Sequence, residues 1–295
     1  VDLPCISQFD AGKTCEAVCR SGSVMDTKTI IRRIVIMKIF AITGLLLVAG
    51  SVHAADSTSH LDAILQKGTI RVCTTGDYKP YTFLREDGKY EGIEITMAES
   101  LAKSLGVNVE WVKTSWKTLM PDFLEGRCDL SVGGVSISLE RQKKAFFSDA
   151  ITVDGKIPLV RCEDAKRYET VEQINQPSTR LIEPPGGTNE AFAHRELPQA
   201  QLSLFKDNVT IFEKLVSKEA DVMITDASEA LFQQKRYPSL CAVNPHKPMQ
   251  YSEKAFLLPR GDVAWKAYVD QWLRLYKATG EYQKTVDHWL SKPDA

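Results

Sequence analysis

Read by polarity, the chain from residue 61 onward alternates between apolar runs of strand length and stretches of helical period. Leu61 to Gln66 reads as a short amphipathic helix stopped by Gly68, and Thr69 to Thr75 as a strand. Gly76 to Tyr81 forms a proline-stiffened loop. From Tyr90–Gly92 a helix runs to Leu105, with Ile93, Met97, Leu101 and Leu105 on one face and Gly106 as its stop. Val107 to Val112 predicts a strand, Ser115–Trp116 opens a short helix to Leu124, and Leu130 to Val135 predicts the next strand. That βαβαβ run suits a parallel sheet.

The pattern breaks at Ala150 to Lys156 and a second α/β set begins. It comprises a strand at Ile157 to Arg161, a strand at Thr179 to Ile182, a glycine turn at Gly186–Gly187 and a helix through Ala193. A loop at Phe205 to Asn208 and a helix at Val209 to Val216 follow. Val222 to Ile224 is a short apolar strand ending at Asp226, with Ser228–Glu229–Ala230–Leu231 opening a helix. After Cys241 come a strand near Lys254 to Pro259 and two amphipathic helices, Val263 to Ala278 and Glu281 to Leu290. The expected architecture is α/β, with two lobes and a ligand cleft between them. Lobe 1 is assembled from residues 57–152 plus 250–295, lobe 2 is 153–249, and two crossing segments make a hinge.

Ahead of these elements, Lys38 precedes an apolar stretch from Ile39 to Ala49, too short to span a bilayer, and Val52–His53–Ala54 has the small residues of a cleavage site. Residues 37–54 therefore read as a signal peptide cut after Ala54, starting at Met25 or Met37. Residues 1–36 read as an upstream extension. The protein is expected in the periplasm, without a stable membrane anchor. The 295 residues carry 37 Lys+Arg against 38 Asp+Glu, a formal net charge of −1, which gives no electrostatic case for nucleic acid.

Four cysteines follow the signal peptide. Cys162 and Cys241 each lie near the end of a strand in the second half, and export permits disulfides, so this pair is expected to bond. Cys73 and Cys128 either pair as well or remain buried thiols. The spacing of Cys5, Cys15 and Cys19 fits no zinc pattern.

In an open α/β sheet, ligands gather beyond the carboxyl ends of strands. Asp226 sits at such an end, and Glu229 occupies the first turn of the following helix, so both carboxyls can face one cleft. One suits binding an amine. The other, in a dry site, suits being held protonated and used as an acid.

In order along the chain, Gly76–Asp77–Tyr78–Lys79–Pro80–Tyr81, Gly92–Ile93–Glu94–Ile95, Asp129 to Gly134, Ser136 to Arg141, Gly186 to Glu190 and Ala220 to Asp226 resemble the periplasmic solute-binding proteins for polar amino acids. This implies their type II two-lobed fold. Thr114–Ser115–Trp116, Asp154–Gly155–Lys156, Pro185 to Glu190, Asp207 to Phe212 and Thr225 to Ala230 are similar to the cyclohexadienyl dehydratases, enzymes built on that fold. The resemblance implies decarboxylative dehydration of prephenate to phenylpyruvate and of arogenate to phenylalanine, with no cofactor and no metal. The implied partner is a small-molecule substrate, and the oligomeric state stays open.

The same resemblance assigns roles. Arg141, whose planar fork suits bidentate pairing, holds a carboxylate. Gly134 and Ser136 add hydrogen bonds, and Thr188 and Asn189 form an anion site at a helix start. Tyr78 and Trp116 wall the ring, and Asp77 is a polar group in the cleft. Lys156 orients a substrate oxygen or tunes a carboxyl, or else is a solvated hinge lysine. Asp226 receives an ammonium in the amino-acid-binding relatives, and Glu229 is the general acid, with Glu190 as second choice. The alternative is a non-catalytic amino-acid-binding protein of an ABC transporter, since fold alone does not decide function.

Overall fold

The computed structural model describes residues 59–291, which lie in one compact unit. The expected signal peptide and the extension before it lie outside the described residues. The strands, in chain order, are β1 (Thr69–Thr74), β2 (Asp77–Tyr78), β3 (Thr82–Leu84), β4 (Tyr90–Glu91), β5 (Asn108–Lys113), β6 (Leu130–Ser131) and β7 (Phe146–Phe147). They continue with β8 (Thr152–Arg161), β9 (Arg180–Glu183), β10 (Gln201–Leu204), β11 (Val222–Asp226), β12 (Leu240–Ala242), β13 (Gln250–Lys254) and β14 (Leu257–Leu258).

Two mixed sheets organise the two lobes. The first has the order β5-β1-β6-β14-β7, with β1 parallel to β5 and β6 and with β14 antiparallel to β6 and β7. The second has the order β10-β9-β11-β8-β12, with β13 also on β8. The helix Ile93–Leu105 buries Met97 and Leu101 in the first core, together with Ile70, Val72 and Trp265. That core also takes Val269 and Trp272 from the helix Val263–Ala278, so the end of the chain completes the first lobe. In the second lobe, Ile211 and Phe212 pack with Leu159, Met223 and Leu240.

The crossing segments form one antiparallel ribbon. β8 is a continuous ten-residue strand, not the five-residue strand beginning at Ile157 that the pattern predicts. Its first half pairs with β13 from Thr152↔Lys254 to Lys156↔Gln250, and its later residues pair with β11 and β12. Val153 is exposed and Thr152 half-buried, so the leading end lacks a clean apolar face. By hydrogen bonding, residues 250–254 belong with the second sheet.

Further differences have local causes. Leu130–Ser131 is the whole of β6, because Gly133 and Gly134 adopt positive φ and turn the chain away. The helix expected from Ser115 begins at Leu119, after a turn closed by reciprocal Ser115–Thr118 hydrogen bonds. The loop at Gly76–Tyr81 contains β2, part of a three-stranded sheet with β3 and β4. Cys162 is bonded to Cys241, and Cys73 to Cys128.

Candidate active site in the interlobe cleft

β11 runs buried along its whole length and ends at Asp226, which is also the N-cap of the helix Ala227–Arg236. The turn holds Asp226 at the carboxyl edge of the sheet and aligns it with Lys156 across the β11–β8 pair. Asp226 Oδ1 lies 2.9 Å from Lys156 Nζ. Its Oδ2 accepts a hydrogen bond from Tyr78 Oη at 2.6 Å and a very short one from Lys254 Nζ. All three charged side chains are almost completely buried. Burial alone would raise the Asp226 carboxyl, but the two ammonium groups and these hydrogen bonds outweigh it and hold the group well below the ordinary range.

Each lysine has further partners. Lys156 donates to Thr188 Oγ1 at 2.9 Å and, very closely, to Asn189 Oδ1. Thr188 is thus not a capping residue: its helix, Thr188–Glu196, starts on Gly187 without a side-chain cap. Lys254 donates to Ser136 Oγ at 3.0 Å and to Tyr78 Oη at 3.2 Å. Tyr78 and Ser136 belong to the first lobe, so Lys254 and Asp226 fasten the two lobes together. Asn208 Nδ2 adds a hydrogen bond to the Asp77 carbonyl at 3.1 Å.

Between the lobes lies a space of about 300 Å³ lined by Tyr78, Trp116, Gly134, Ser136, Pro184, Gly187, Thr188, Asn189, Asn208 and Asp226. Tyr78 and Trp116 meet edge to face at 5.4 Å. Gly134, at φ 78°, lets the Tyr78 ring lie flush, since a Cβ there would come within 2.6 Å of that ring. Gly186, at φ 90°, brings its loop against the other lobe, where a Cβ would sit 2.4 Å from the Lys117 Cα.

Seven expected site residues therefore line one cavity: Tyr78, Trp116, Gly134, Ser136, Thr188, Asn189 and Asp226. The other four stand outside its wall. Lys156 is held behind Thr188, Asn189 and Asp226, which rules out the solvated hinge lysine. Arg141 donates to the Ser136 carbonyl at 2.8 Å, and burial draws its guanidinium down to about 10. The Asp77 carboxyl is raised by burial, partly offset by hydrogen bonds from Thr75 and Trp116. Glu229 is fully buried and does not line the cavity.

Burial is the largest influence on Glu229 and pushes it up to about 8. A very short hydrogen bond from Thr225 Oγ1 to Oε2 opposes that, Asp226 adds to it, Lys254 opposes it and Asp77 adds a little more. Glu229 Oε1 has no hydrogen-bond partner. Glu190 instead receives the Gly186 N–H in a very short hydrogen bond and faces its own loop.

The sequence reading passes over Lys254, Asn208, Glu94 and Glu183. Glu94 is fully buried, accepts from the Gly133 and Gly134 N–H groups at 2.6 and 2.9 Å, and is raised by burial to about 7. Glu183 accepts from Ile224 N–H at 2.7 Å. Among the described residues, no group of three or more His, Cys, Asp or Glu is arranged to hold a metal ion, and no helix is long and apolar enough to cross a membrane.

The sequence profile of the bacterial extracellular solute-binding proteins, family 3, matches residues 70–292. The chain belongs to that family. Within family 3, it is 47% identical to the cyclohexadienyl dehydratase of Pseudomonas aeruginosa over 245 residues, covering 83% of this chain and 90% of that one. To the L-cystine-binding protein of Escherichia coli K12 it is 26% identical, covering 85% of this chain and 94% of that one. Among solved structures, an ancestral amino-acid-binding protein described as a precursor of cyclohexadienyl dehydratase aligns with a TM-score of 0.72 at 34% identity, over 79% of this chain and all of that one. An ancestral cyclohexadienyl dehydratase aligns at 48% identity with a TM-score of 0.51, over 80% of this chain and 98% of that one. A family 3 cleft of this kind takes a small molecule.

Proposed function

We propose that this chain is a periplasmic cyclohexadienyl dehydratase that converts prephenate to phenylpyruvate, and arogenate to phenylalanine, by general acid catalysis. The observation that carries the reading is Glu229, a fully buried carboxyl raised to about 8 and within electrostatic reach of Asp226 and Lys254. The 47% identity to a named dehydratase supports it, against 26% to a binding protein.

Three cationic groups, Lys156, Lys254 and Arg141, surround one ionised carboxylate, Asp226, leaving an excess of positive charge that suits a dicarboxylate substrate. Tyr78 and Trp116 supply flat apolar surface for the six-membered ring. Glu229 is protonated at neutral pH, and its unpartnered Oε1 is the oxygen from which the proton leaves. The ring carboxylate departs as CO2, its electron pair moves into the ring, and the C4 hydroxyl leaves with the Glu229 proton as water. Aromatisation drives the step. Acid assistance of this kind contributes about 10²–10⁴-fold. Lys156, with its three donors directed to Thr188, Asn189 and Asp226, positions these groups and tunes their charge.

The test is to mix the purified protein with prephenate at neutral pH and follow phenylpyruvate. Turnover supports the proposal. No turnover, with tight binding of an amino acid instead, would establish the transport reading. Export is tested by mass spectrometry of the periplasmic species, expected to begin near Ala55.

A further inference from the structure

We propose that Lys254 makes this site select a 2-oxo acid over the corresponding 2-amino acid. Among the described residues, Asp226 is the only acidic side chain lining the cavity. A ligand ammonium would need it as counter-ion, and the protein's own lysines already occupy it. Oδ1 is paired with Lys156, and Oδ2 is held by Lys254 and Tyr78 together. Two cations on one carboxylate leave a net positive cluster, so a third cation meets repulsion in a setting with little water to screen it. Asn208 Oδ1, buried and without a partner, is a neutral acceptor and does not offset that charge. A 2-oxo group is uncharged and only accepts hydrogen bonds, which fits a wall of N–H and O–H donors.

The two lysines are not equivalent. Lys156 is fixed to Thr188, Asn189 and Asp226, all within the second lobe. Lys254, at the end of β13, reaches across to Ser136 and Tyr78 of the first lobe and lies 5.0 Å from the Tyr78 ring centre. Removing its charge leaves Asp226 Oδ2 with the neutral Tyr78 hydroxyl in place of a cation, and leaves the Lys156 pair in place. Lys254 thus fills, from within the chain, the place that an amino group of a ligand would take.

This inference rests on the dehydratase reading for its substrates, but ligand binding tests it separately. The experiment measures kcat/KM for prephenate and arogenate, and calorimetric Kd for phenylpyruvate and L-phenylalanine, in the wild type, Lys254→Met and Lys254→Arg. In the wild type the oxo member of each pair is favoured at least tenfold. Lys254→Met shifts both ratios at least tenfold toward the amino member, and Lys254→Arg, which keeps the charge, does not. Equal losses for both members in Lys254→Met would mean a merely structural role and overturn the inference, as would wild-type protein binding L-phenylalanine as tightly as phenylpyruvate. That wild-type comparison decides the matter even if Lys254→Met does not fold. If neither substrate turns over while the phenylpyruvate preference holds, the dehydratase reading fails and the selectivity stands.

Discussion

Asp226 and Glu229 lie three residues apart at one strand-to-helix turn, and their carboxyls are driven in opposite directions. Two lysines and a tyrosine overcome burial at Asp226 and keep it ionised. At Glu229 burial prevails, and the neighbouring negative charge of Asp226 reinforces it. Separated protonation states of this kind distinguish a charge anchor from a proton donor within one site.

Replacing Glu229 by Gln keeps the size and a partner for Thr225 but removes the transferable proton. The expected result is a fall in kcat of about 10²–10⁴-fold with Kd changed only a few-fold, because protonation matters chiefly in the transition state. Single-turnover kinetics with prephenate, alongside calorimetry, measures both. Near wild-type turnover would remove Glu229 from the chemistry.

The wild-type rate should be flat near neutral pH and decline as pH rises through about 8, where Glu229 loses its proton. A kcat profile from pH 6 to 10 on the same substrate checks the position and the sign of that limb.

Holding Glu229 neutral also has a cost in stability. Its folded pKa, about 8, lies above its ordinary value of 4.5, so the unfolded chain gains by ionising it as pH rises between those values. Stability from this group is full below about pH 4.5 and is lost progressively up to about 8. Glu229→Gln should therefore be the more stable protein at pH 7, by up to about 3 kcal/mol, and equal to wild type at pH 4. Urea unfolding at the two pH values measures the difference.

Arg141→Ala should weaken phenylpyruvate binding by about 1.5–3 kcal/mol, the worth of a hydrogen bond to a charged group. The observed Arg141 contact is to the Ser136 carbonyl, so the loss combines direct attraction with looser placement of that loop. Calorimetry on a variant with wild-type circular dichroism is the measurement, and unchanged affinity would place Arg141 outside the binding machinery.

Serine at both Cys162 and Cys241 should cost about 2–4 kcal/mol, since the bond closes a long loop of chain. Denaturation with and without reductant would show the loss, and the doubly substituted protein should lose its response to reduction at this pair.

What could be read in advance follows from where the physical signal lies. The helices Val263–Ala278 and Glu281–Leu290 match the expected bounds because each has a strong apolar stripe and Gly280 separates them in a left-handed conformation. β10 went unseen because it is an edge strand with three exposed positions and one half-buried, so no inward face is written in its residues. The spacing of Asp226 and Glu229 was visible because it is local. Lys254 is not: it stands at the polar start of the strand expected over Lys254 to Pro259, and nothing local separates one buried lysine from the other 36 cationic residues. Its burial arises from Ser136, Tyr78 and Asp226, which lie far away in the chain.

Gly186 gives the cleft a mechanical limit. Its missing side chain is what allows the loop to touch the Lys117 backbone, so the residue acts as a thickness gauge for closure. A single methyl group there is a wedge, and its effect would reach beyond fit. With the gap held ajar, water would hydrate Glu229, its acidity would return toward that of a free carboxyl, and the proton would be gone at neutral pH before any substrate arrived.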